Sequence, residues 1–138
     1  PLDLAYEQDG KRMEADVSKI VERDELQTKL FPDLGSKSIE LYKTEIAKAG
    51  SVFVNGPAGV YEDSRWEKAT KEIWKAIAAC NAYTVIGGGD TITAATKFTN
   101  LEDYSYVCTA GGAMVRFLSG KKLPLILAME KAWERDKE

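Results

Sequence analysis

Histidine is absent from the sequence, and cysteine is scarce. Histidine is the commonest metal ligand and the usual general base near neutral pH, so any chemistry of this chain must rely on other groups. The two cysteines, Cys80 and Cys108, are far apart and match no metal or redox spacing. Each lies in an apolar segment, which predicts two reduced thiols in the core of a cytosolic protein.

Long apolar runs and a strong excess of charge are also missing. No run reaches membrane-spanning length, and the opening PLDLAYEQDG is neither basic nor apolar enough for a signal peptide. The 19 basic and 22 acidic residues leave a net charge of -3, which gives no electrostatic case for a nucleic-acid or membrane partner. The first residue is not Met, as in a processed or truncated chain. The 138 residues are enough for one domain with a buried core.

The apolar residues that are present predict an α/β fold. Two strand-like runs flank Asp9-Gly10, a dipeptide favoured in tight hairpin turns, and KLFPDLGSKS is typical of a loop. From residue 36 onward the predicted order is helix, strand, helix, strand, helix, strand, helix, and the strands SVFV, YTVI and SYVC lack clean alternation. We therefore expect a three-layer, doubly wound parallel sheet with helices on both faces, a partial Rossmann-like domain, preceded by a β-hairpin.

Two of the predicted helices have recognisable starts. Ser64 and Glu67 have capping-box spacing ahead of an apolar stripe that runs to residue 81, and Pro124 can open the last helix. The tryptophans fall on predicted helices, where packing is a commoner role than base stacking. They are Trp66, Trp74 and Trp133.

Glycine-rich segments follow all three predicted parallel strands: VNGPAGVYE, IGGGDT and CTAGGAM. The carboxyl ends of parallel strands share one edge of the sheet, and ligands bind in the crevice there. Glycine at such a place lets a ligand oxygen approach backbone N–H groups, and the following helix adds unpaired donors and the positive end of its dipole. Together these features predict a phosphate site at this edge.

An acidic residue, Asp90, directly follows the three glycines of IGGGDT. A carboxylate that faces a phosphate is repelled unless a cation lies between them, so we interpret Asp90 as a partner of Mg²⁺ held by nucleotide phosphate oxygens, directly or through water. The alternative is that Asp90 only caps the helix that follows. Thr91 has two equal interpretations, a phosphate contact through its hydroxyl or the start of the helix.

The other polar residues near these segments give weaker signals. Glu62 could accept hydrogen bonds from ribose hydroxyls, but chemistry alone favours a solvated charge near a helix start. Asn55 and Pro57 are interpreted as shaping the turn rather than binding a substrate. Lys37 could reach a phosphate from its loop, although a lone loop lysine is more often solvated.

The glycine-rich segments resemble those of phosphoglycerate kinases. NGPAGVYE, GGGDT and CTAGGAM, followed by FLSGKKLP, have the order and approximate spacing of that family, and DLGSKS is similar to its D-x-G-x-K/E-[ST] turn. The resemblance runs from about Asp33 to Pro124. It implies a cytoplasmic two-domain enzyme whose C-terminal half binds Mg-ADP or Mg-ATP and whose N-terminal half binds 3-phosphoglycerate or 1,3-bisphosphoglycerate.

Matching positions imply a nucleotide-binding set in this sequence. Its members are Glu62, which corresponds to the ribose-binding carboxylate, and Gly88, Gly89, Asp90 and Thr91, which correspond to the phosphate and metal segment.

The resemblance also implies a catalytic pair of glycines. Gly88 and Gly111 correspond to the glycines that donate to the transferring phosphoryl group, and Gly112 lies beside them. Ala110 departs from the family pattern, because glycine usually occupies this position. Its methyl group is expected to hinder the close approach of a ligand at the end of the third strand.

Taken with the resemblance, residues 1–138 are expected to be the second part of a C-terminal nucleotide-binding domain, without the substrate domain and without the first half of the nucleotide domain. The isolated chain is then expected to be inactive and to bind nucleotide weakly. The implied phosphoryl acceptor is an ionised carboxylate that needs no general base, which agrees with the absence of histidine. Two alternatives are a non-catalytic nucleotide-binding module and a structural half-domain completed by another chain.

Overall fold

The computed structural model describes residues 1–135 and contains two three-stranded sheets, the first of which is antiparallel with the order β2-β1-β3. Strands β1 (Asp3–Gln8) and β2 (Lys11–Asp16) form the predicted hairpin, whose two turn residues have positive φ, 52° at Asp9 and 73° at Gly10. Strand β3 (Asp33–Leu34) pairs with β1. The prediction of a plain loop at residues 29–38 is wrong at these two positions, because a two-residue strand has no apolar periodicity of its own.

The second sheet is parallel, with the order β4-β5-β6, which confirms the predicted α/β architecture. Its strands are β4 (Ser51–Asn55), β5 (Tyr83–Gly87) and β6 (Tyr106–Cys108). The register pairs Asn55 with Gly87 and Gly87 with Cys108, so the three strands end level with one another.

Helices connect these strands in the predicted order. Two short helices that the sequence patterns did not indicate, α1 (Val17–Glu22) and α2 (Asp24–Gln27), precede β3. The remaining helices are α3 (Ser36–Lys48), α4 (Lys68–Ala79), α5 (Gly89–Phe98), α6 (Gly112–Leu118) and α7 (Pro124–Arg135), with a 3₁₀ turn at Leu101–Asp103. The last helix begins at Pro124 as predicted. Within residues 1–135, no helix combines the length and apolar character needed to cross a membrane.

The capping box predicted at Ser64 and Glu67 is not formed, and α4 begins only at Lys68. Glu67 stands at the N-cap without a side-chain capping bond, and its carboxylate instead lies 2.8 Å from the Lys97 ammonium of α5. The residues before it form a turn in which the Asp63 carboxylate accepts hydrogen bonds from Arg65. A tertiary ion pair has therefore replaced the local cap.

The main core lies on one face of the parallel sheet. Helices α3, α4 and α5 pack there around Ile39, Trp74 and Ile86, which are almost fully buried. Trp66 is also buried, so two of the tryptophans pack as predicted, but Trp66 lies in the turn before α4 and not on a helix as expected. Trp133 on α7 has 66% of its surface exposed.

The opposite face of the parallel sheet, here called the open face, is only partly covered. Because side chains alternate along a strand, the neighbours of the core residues point to this side, and Phe53, Tyr83 and Tyr106 are exposed there. Helix α6 lies against the open face and forms with it an apolar cavity of about 660 Å³ that is open to solvent and whose lining includes Met114 and Phe117. Helices thus lie on both faces, as predicted, but cover them unequally.

The two cysteines are free thiols, as predicted, but both are half-buried rather than enclosed by the core. The Cys80 Sγ lies 3.1 Å from the carbonyl oxygen of Ile77, one turn earlier in the chain. Cys108 lines the cavity of the open face. Both thiols therefore belong to the margin of the packed region.

Candidate functional site

The three glycine-rich segments that follow β4, β5 and β6, here called the joints, meet at one edge of the parallel sheet. A Cβ atom added to Gly88 would lie 3.0 Å from the Asn55 Oδ1 atom and 3.3 Å from the Gly111 Cα atom. A Cβ atom added to Gly111 would lie 2.9 Å from the same Asn55 oxygen and 3.2 Å from the Gly88 Cα atom. The joints after β4, β5 and β6 are therefore in contact, as expected of parallel strands that end level with one another.

Gly88 and Gly111, here called the inner pair, are glycines for reasons internal to the fold. Gly88 has φ of 97° and ψ of 147°, a conformation that residues with a side chain rarely adopt, and its neighbours leave little room for a methyl group. Its N–H group donates to the Cys108 carbonyl at 3.0 Å. This bond extends the β5–β6 ladder and occupies the donor that was predicted to face the phosphoryl group.

Gly89 and Gly112, here called the outer pair, differ from the inner pair. They are the first residues of α5 and α6, both are exposed, and a Cβ atom on either would meet nothing within 4 Å. Neither has a positive φ. Because alanine is favoured over glycine in a helix, neither packing nor backbone geometry explains why these two residues lack a side chain.

Asp90 lies in the first turn of α5 with an exposed side chain. The N-cap of that helix is Gly88, and no side-chain hydrogen bond caps it, so the alternative role of Asp90 as the capping residue is wrong. The carboxylate is still near the positive end of the helix dipole, which favours negative charge. Among the described residues, no group of three or more His, Cys, Asp or Glu side chains is arranged to hold a metal ion.

Thr91 connects two of the joints. Its side chain is buried, with 1% exposed, and its Oγ1 atom accepts a hydrogen bond from the Gly56 N–H group at 2.6 Å. Its carbonyl oxygen lies 3.4 Å from the indole nitrogen of Trp74. Thr91 therefore holds the turn after β4 against α5, a role that the sequence analysis missed because no local signal announces the distant Gly56 amide.

Glu62 is exposed in the middle of the segment between β4 and α4. The neighbouring Tyr61 is buried, and its pKa is raised first by that burial and then by the charges of Glu62 and Asp90. Both carboxylates therefore lie close enough to the Tyr61 phenol to act on it. The Lys97 ammonium donates to the Tyr61 carbonyl at 2.6 Å, which fixes this part of the loop to α5.

Two of the weaker sequence signals have clear structural outcomes. Lys37 lies beside the first sheet, where its ammonium is 2.5 Å from an Asp16 carboxylate oxygen, and the pKa of Lys37 is raised by that hydrogen bond and charge. It is thus a surface ion-pair residue. Ala110 is exposed and lines the cavity of the open face, beside Met114.

Comparison with known proteins gives a consistent family signal. A family model described as phosphoglycerate kinase matches residues 1–121. The chain is 42% identical over 129 residues to the phosphoglycerate kinase of Methanopyrus kandleri, which covers 94% of this chain and 30% of that protein. It is 37% identical over 139 residues to the corresponding protein of Pyrococcus abyssi, which covers 100% of this chain and 33% of that protein.

Solved structures are similar as well. The structure of phosphoglycerate kinase from Coxiella burnetii has a TM-score of 0.77 at 34% identity and covers 88% of this chain and 31% of its own. That of phosphoglycerate kinase from Pyrococcus horikoshii has the same TM-score, 0.77, at 32% identity, and covers 97% of this chain and 33% of its own. The chain therefore spans about a third of the length of the curated relatives that it matches.

Proposed function

The chain belongs to the phosphoglycerate kinase family, and on that basis we propose that it forms part of the Mg-nucleotide site of such an enzyme. In this proposal residues 1–138 are the second part of a C-terminal nucleotide-binding domain, and the longer protein acts in cytoplasmic glycolysis and gluconeogenesis. Its reaction moves a phosphoryl group between 1,3-bisphosphoglycerate and ADP and gives 3-phosphoglycerate and ATP.

The observation that carries the proposal is the openness of the outer pair. A methyl group on Gly89 or Gly112 would have no atom within 4 Å beyond the chain neighbours and the backbone of its own helix, yet both residues lack a side chain. The remaining reason for glycine at these positions is the approach of something outside the chain to the backbone. The first N–H groups of α5 are unpaired within the helix and face that approach, which suits an oligophosphate.

Each member of the site has a part in this proposal. Gly89, Asp90 and Thr91 contribute the first backbone amides of α5 to the nucleotide phosphates. The transferring phosphoryl group is approached by Gly111 and Gly112, while Gly88 contributes a bare Cα surface, because its amide is bonded to Cys108. Glu62 accepts hydrogen bonds from the ribose hydroxyls.

The residues present fit a magnesium ion that travels with the nucleotide. Mg²⁺ keeps most of its water and is bound in many phosphate-transfer sites by one or two carboxylates together with substrate phosphates. Asp90 supplies such a carboxylate at the open edge, directly or through water. When bound, the ion neutralises negative charge that the phosphoryl group carries during transfer.

The chain needs no base for this chemistry. The acceptor in the proposed reaction is an oxygen of a carboxylate or of a nucleotide phosphate, and both are already ionised at neutral pH. Catalysis then depends on holding the reacting groups close together and on stabilising charge with backbone dipoles. A chain without histidine can do both.

The open face favours a second candidate function, that of a structural half-domain. Phe53, Tyr83 and Tyr106 expose aromatic surface on one side of a parallel sheet, and such sheets are normally covered on both faces. The two functions are compatible, since the longer relatives have enough chain to provide such a cover. Alone, the 138 residues are expected to show no kinase turnover, and a normal rate from this chain would refute that expectation.

The proposal can be tested by titrating the chain with Mg-ADP and following backbone amide shifts by NMR. Shifts are expected to concentrate at residues 88–91 and 111–112 and to weaken when magnesium is chelated. Asp90→Ala is expected to lower the apparent affinity about tenfold, which is about 1.4 kcal/mol.

The matched control is Asp24→Ala, which removes another exposed first-turn aspartate, from α2, and should leave the titration unchanged. Shifts spread evenly over the surface, or an Asp90→Ala variant that binds as the original chain does, would contradict a magnesium-linked nucleotide site.

A further inference from the structure

A buried carboxylate lies behind the loop that carries Glu62. The side chain of Asp33 on β3 has no exposed surface, and its Oδ2 atom lies 2.8 Å from the Arg12 Nη1 atom and accepts the Ala69 N–H group at 3.3 Å. Its Oδ1 atom has no hydrogen-bond partner among the described residues. Buried polar atoms without partners are uncommon, so this oxygen calls for a physical explanation.

The unpartnered oxygen faces Gly59. A Cβ atom on Gly59 would lie 2.3 Å from the Asp33 Oδ1 atom and 3.0 Å from the Pro32 carbonyl oxygen. Gly59 does not have a positive φ, so its backbone conformation is open to other residues. The Asp33 carboxylate is therefore the main obstacle to a side chain at this position, and the Pro32 carbonyl is a lesser one.

Hydrogen bonds hold the same loop from both sides. Residues 56–62, here called the Glu62 loop, are tied to the first sheet by the Val60 N–H group, which donates to the Pro32 carbonyl at 2.8 Å. They are tied to α4 by the Thr70 hydroxyl, which accepts the N–H groups of Ala58 and Gly59 at 3.2 Å each. Asp33 fills the space between these two attachments, and Glu62 follows three residues after Gly59.

Arg12 links this arrangement to the hairpin. Besides Asp33, its guanidinium donates to the carbonyl of Leu34 in β3 at 2.7 Å and to the carbonyl of Arg65, just after the Glu62 loop, at 3.3 Å. It also lies over the Trp66 ring, 5.7 Å from the ring centroid. A single side chain of β2 therefore fixes Asp33 and the backbone that flanks the loop.

We propose that Asp33 is a positioning residue of the nucleotide site: its carboxylate, held by Arg12 and pressed against Gly59, sets the position of the Glu62 loop. The part that concerns nucleotide rests on the function proposed above, whereas the part that concerns the loop does not. Asp33 makes no contact with substrate in this role, and it acts through Gly59 and the residues that follow.

The test uses a pair of single variants and their combination: Asp33→Ser removes the oxygen against which Gly59 packs, Gly59→Ala adds a methyl group that would overlap it, and Asp33→Ser/Gly59→Ala puts the methyl group into the vacated space. Amide hydrogen exchange, measured by NMR on the 138-residue chain, is expected to accelerate at least tenfold at residues 58–60 in each single variant, while the amide of Ile86 in β5 is unaffected. The double variant is expected to return to within threefold of the original rates. Gly50→Ala, at an exposed glycine with no atom within 4 Å, is the control and should change nothing.

The outcomes separate the two proposals. Unchanged exchange in Asp33→Ser or in Gly59→Ala, or failure of the double variant to restore protection, overturns the positioning role. If Gly59→Ala does not fold, recovery of folding in the double variant supports the proposed role of Asp33. Failure of both variants to fold overturns it. The affinity for Mg-ADP should fall in the variants whose loop exchanges faster and should recover in the double variant. If the original chain binds no Mg-ADP, the proposed function fails, while the exchange rates still decide whether Asp33 sets the loop.

Discussion

The inner and outer pairs of glycines lie next to each other in the chain, but different forces require them. Gly88 and Gly111 touch each other and the Asn55 side chain, and a methyl group on either would meet another atom at 3.0 Å or less. Gly89 and Gly112 touch nothing of this kind. The same residue type, repeated in IGGGDT and CTAGGAM, therefore serves the fold at one position and faces solvent at the next.

This difference teaches how to read a glycine-rich joint. Where other atoms of the protein already occupy the place of a Cβ atom, the glycine is required by packing, and its substitution should lower the free energy of unfolding. Where that place is empty, the glycine indicates the approach of a ligand to the backbone. Its substitution should leave the free energy of unfolding unchanged and lower the affinity for the ligand. The inner and outer pairs can therefore be distinguished by measuring the two quantities in the same variant.

The largest effect is expected from Gly88→Ala. The new methyl group would lie 3.0 Å from the Asn55 oxygen and 3.3 Å from the Gly111 Cα atom, on a residue with φ of 97°. Steric overlap and backbone strain together should lower the free energy of unfolding by about 2–4 kcal/mol. Urea denaturation followed by far-UV circular dichroism measures this change, and a loss below about 0.5 kcal/mol would remove the distinction between the pairs.

Thr91→Val is expected to come next. The substitution keeps the side-chain shape but removes the oxygen that accepts the Gly56 N–H group at 2.6 Å, in a site where only 1% of the residue is exposed. An unsatisfied amide of this kind should cost about 1–2 kcal/mol in urea denaturation. Thr93→Val is the matched control, because the Thr93 hydroxyl is exposed and bonds only to the Gly89 carbonyl of its own helix. Equal losses in the two variants would show that the tie between the joints contributes nothing.

The sequence predicted the joints but not the division within them. Strand-to-helix alternation and three glycine-rich segments were enough to expect one shared edge, because the level ends of parallel strands follow from topology. Which glycine faces a neighbour and which faces solvent depends on the distance between Gly88 and Gly111, two residues from different segments. That distance cannot be deduced from any short stretch of the sequence.

Several other features were beyond the sequence for the same reason. Strand β3 exists because Asp33 and Leu34 pair with β1, about thirty residues earlier in the chain. The spacing of Ser64 and Glu67 fits a capping box, but in the folded chain the Glu67 carboxylate pairs with Lys97 of α5 instead. Local signals such as Asp9-Gly10 and Pro124 were reliable where the neighbouring residues alone determine the turn or the helix start.

Gly89→Ala should have a smaller effect on stability and the opposite sign. Because nothing lies within 4 Å of the added methyl group and alanine is favoured in helices, the free energy of unfolding should stay constant or rise by up to about 1 kcal/mol. In the same variant the affinity for Mg-ADP should fall about tenfold, since the methyl group occupies the space through which a phosphate would approach. Gly50→Ala, also at an exposed and uncrowded glycine, should leave affinity unchanged. Loss of both stability and affinity in Gly89→Ala would place it with the inner pair.

The smallest effect is a dependence of stability on pH, and it tests whether the carboxylate behind the Glu62 loop has a raised pKa in the folded chain. Burial raises the pKa of Asp33 above its ordinary value of 3.8, against the lowering effects of the Ala69 amide and of Arg12, so the folded chain binds this proton more tightly than the unfolded chain. The contribution of Asp33 to the free energy of unfolding must then decrease as pH rises above 3.8 and level off above the folded pKa. In Asp33→Asn that decrease is absent, so the stability of the variant relative to the original chain should increase with pH across this window.

Asp3 provides the control with the opposite sign. Its burial would raise its pKa, but hydrogen bonds from Ser38 and from the Lys37 amide outweigh that effect and lower the pKa below 3.8. The stability that Asp3 contributes is therefore present above pH 3.8 and lost as pH falls through its folded pKa, so the relative stability of Asp3→Asn should decrease as pH rises toward 3.8. Urea denaturation of the original chain and of the two variants between about pH 3 and pH 6 measures both slopes. Slopes of the same sign would mean that Asp33 is stabilised in its ionised form, in which case Arg12 rather than burial governs the carboxylate behind the Glu62 loop.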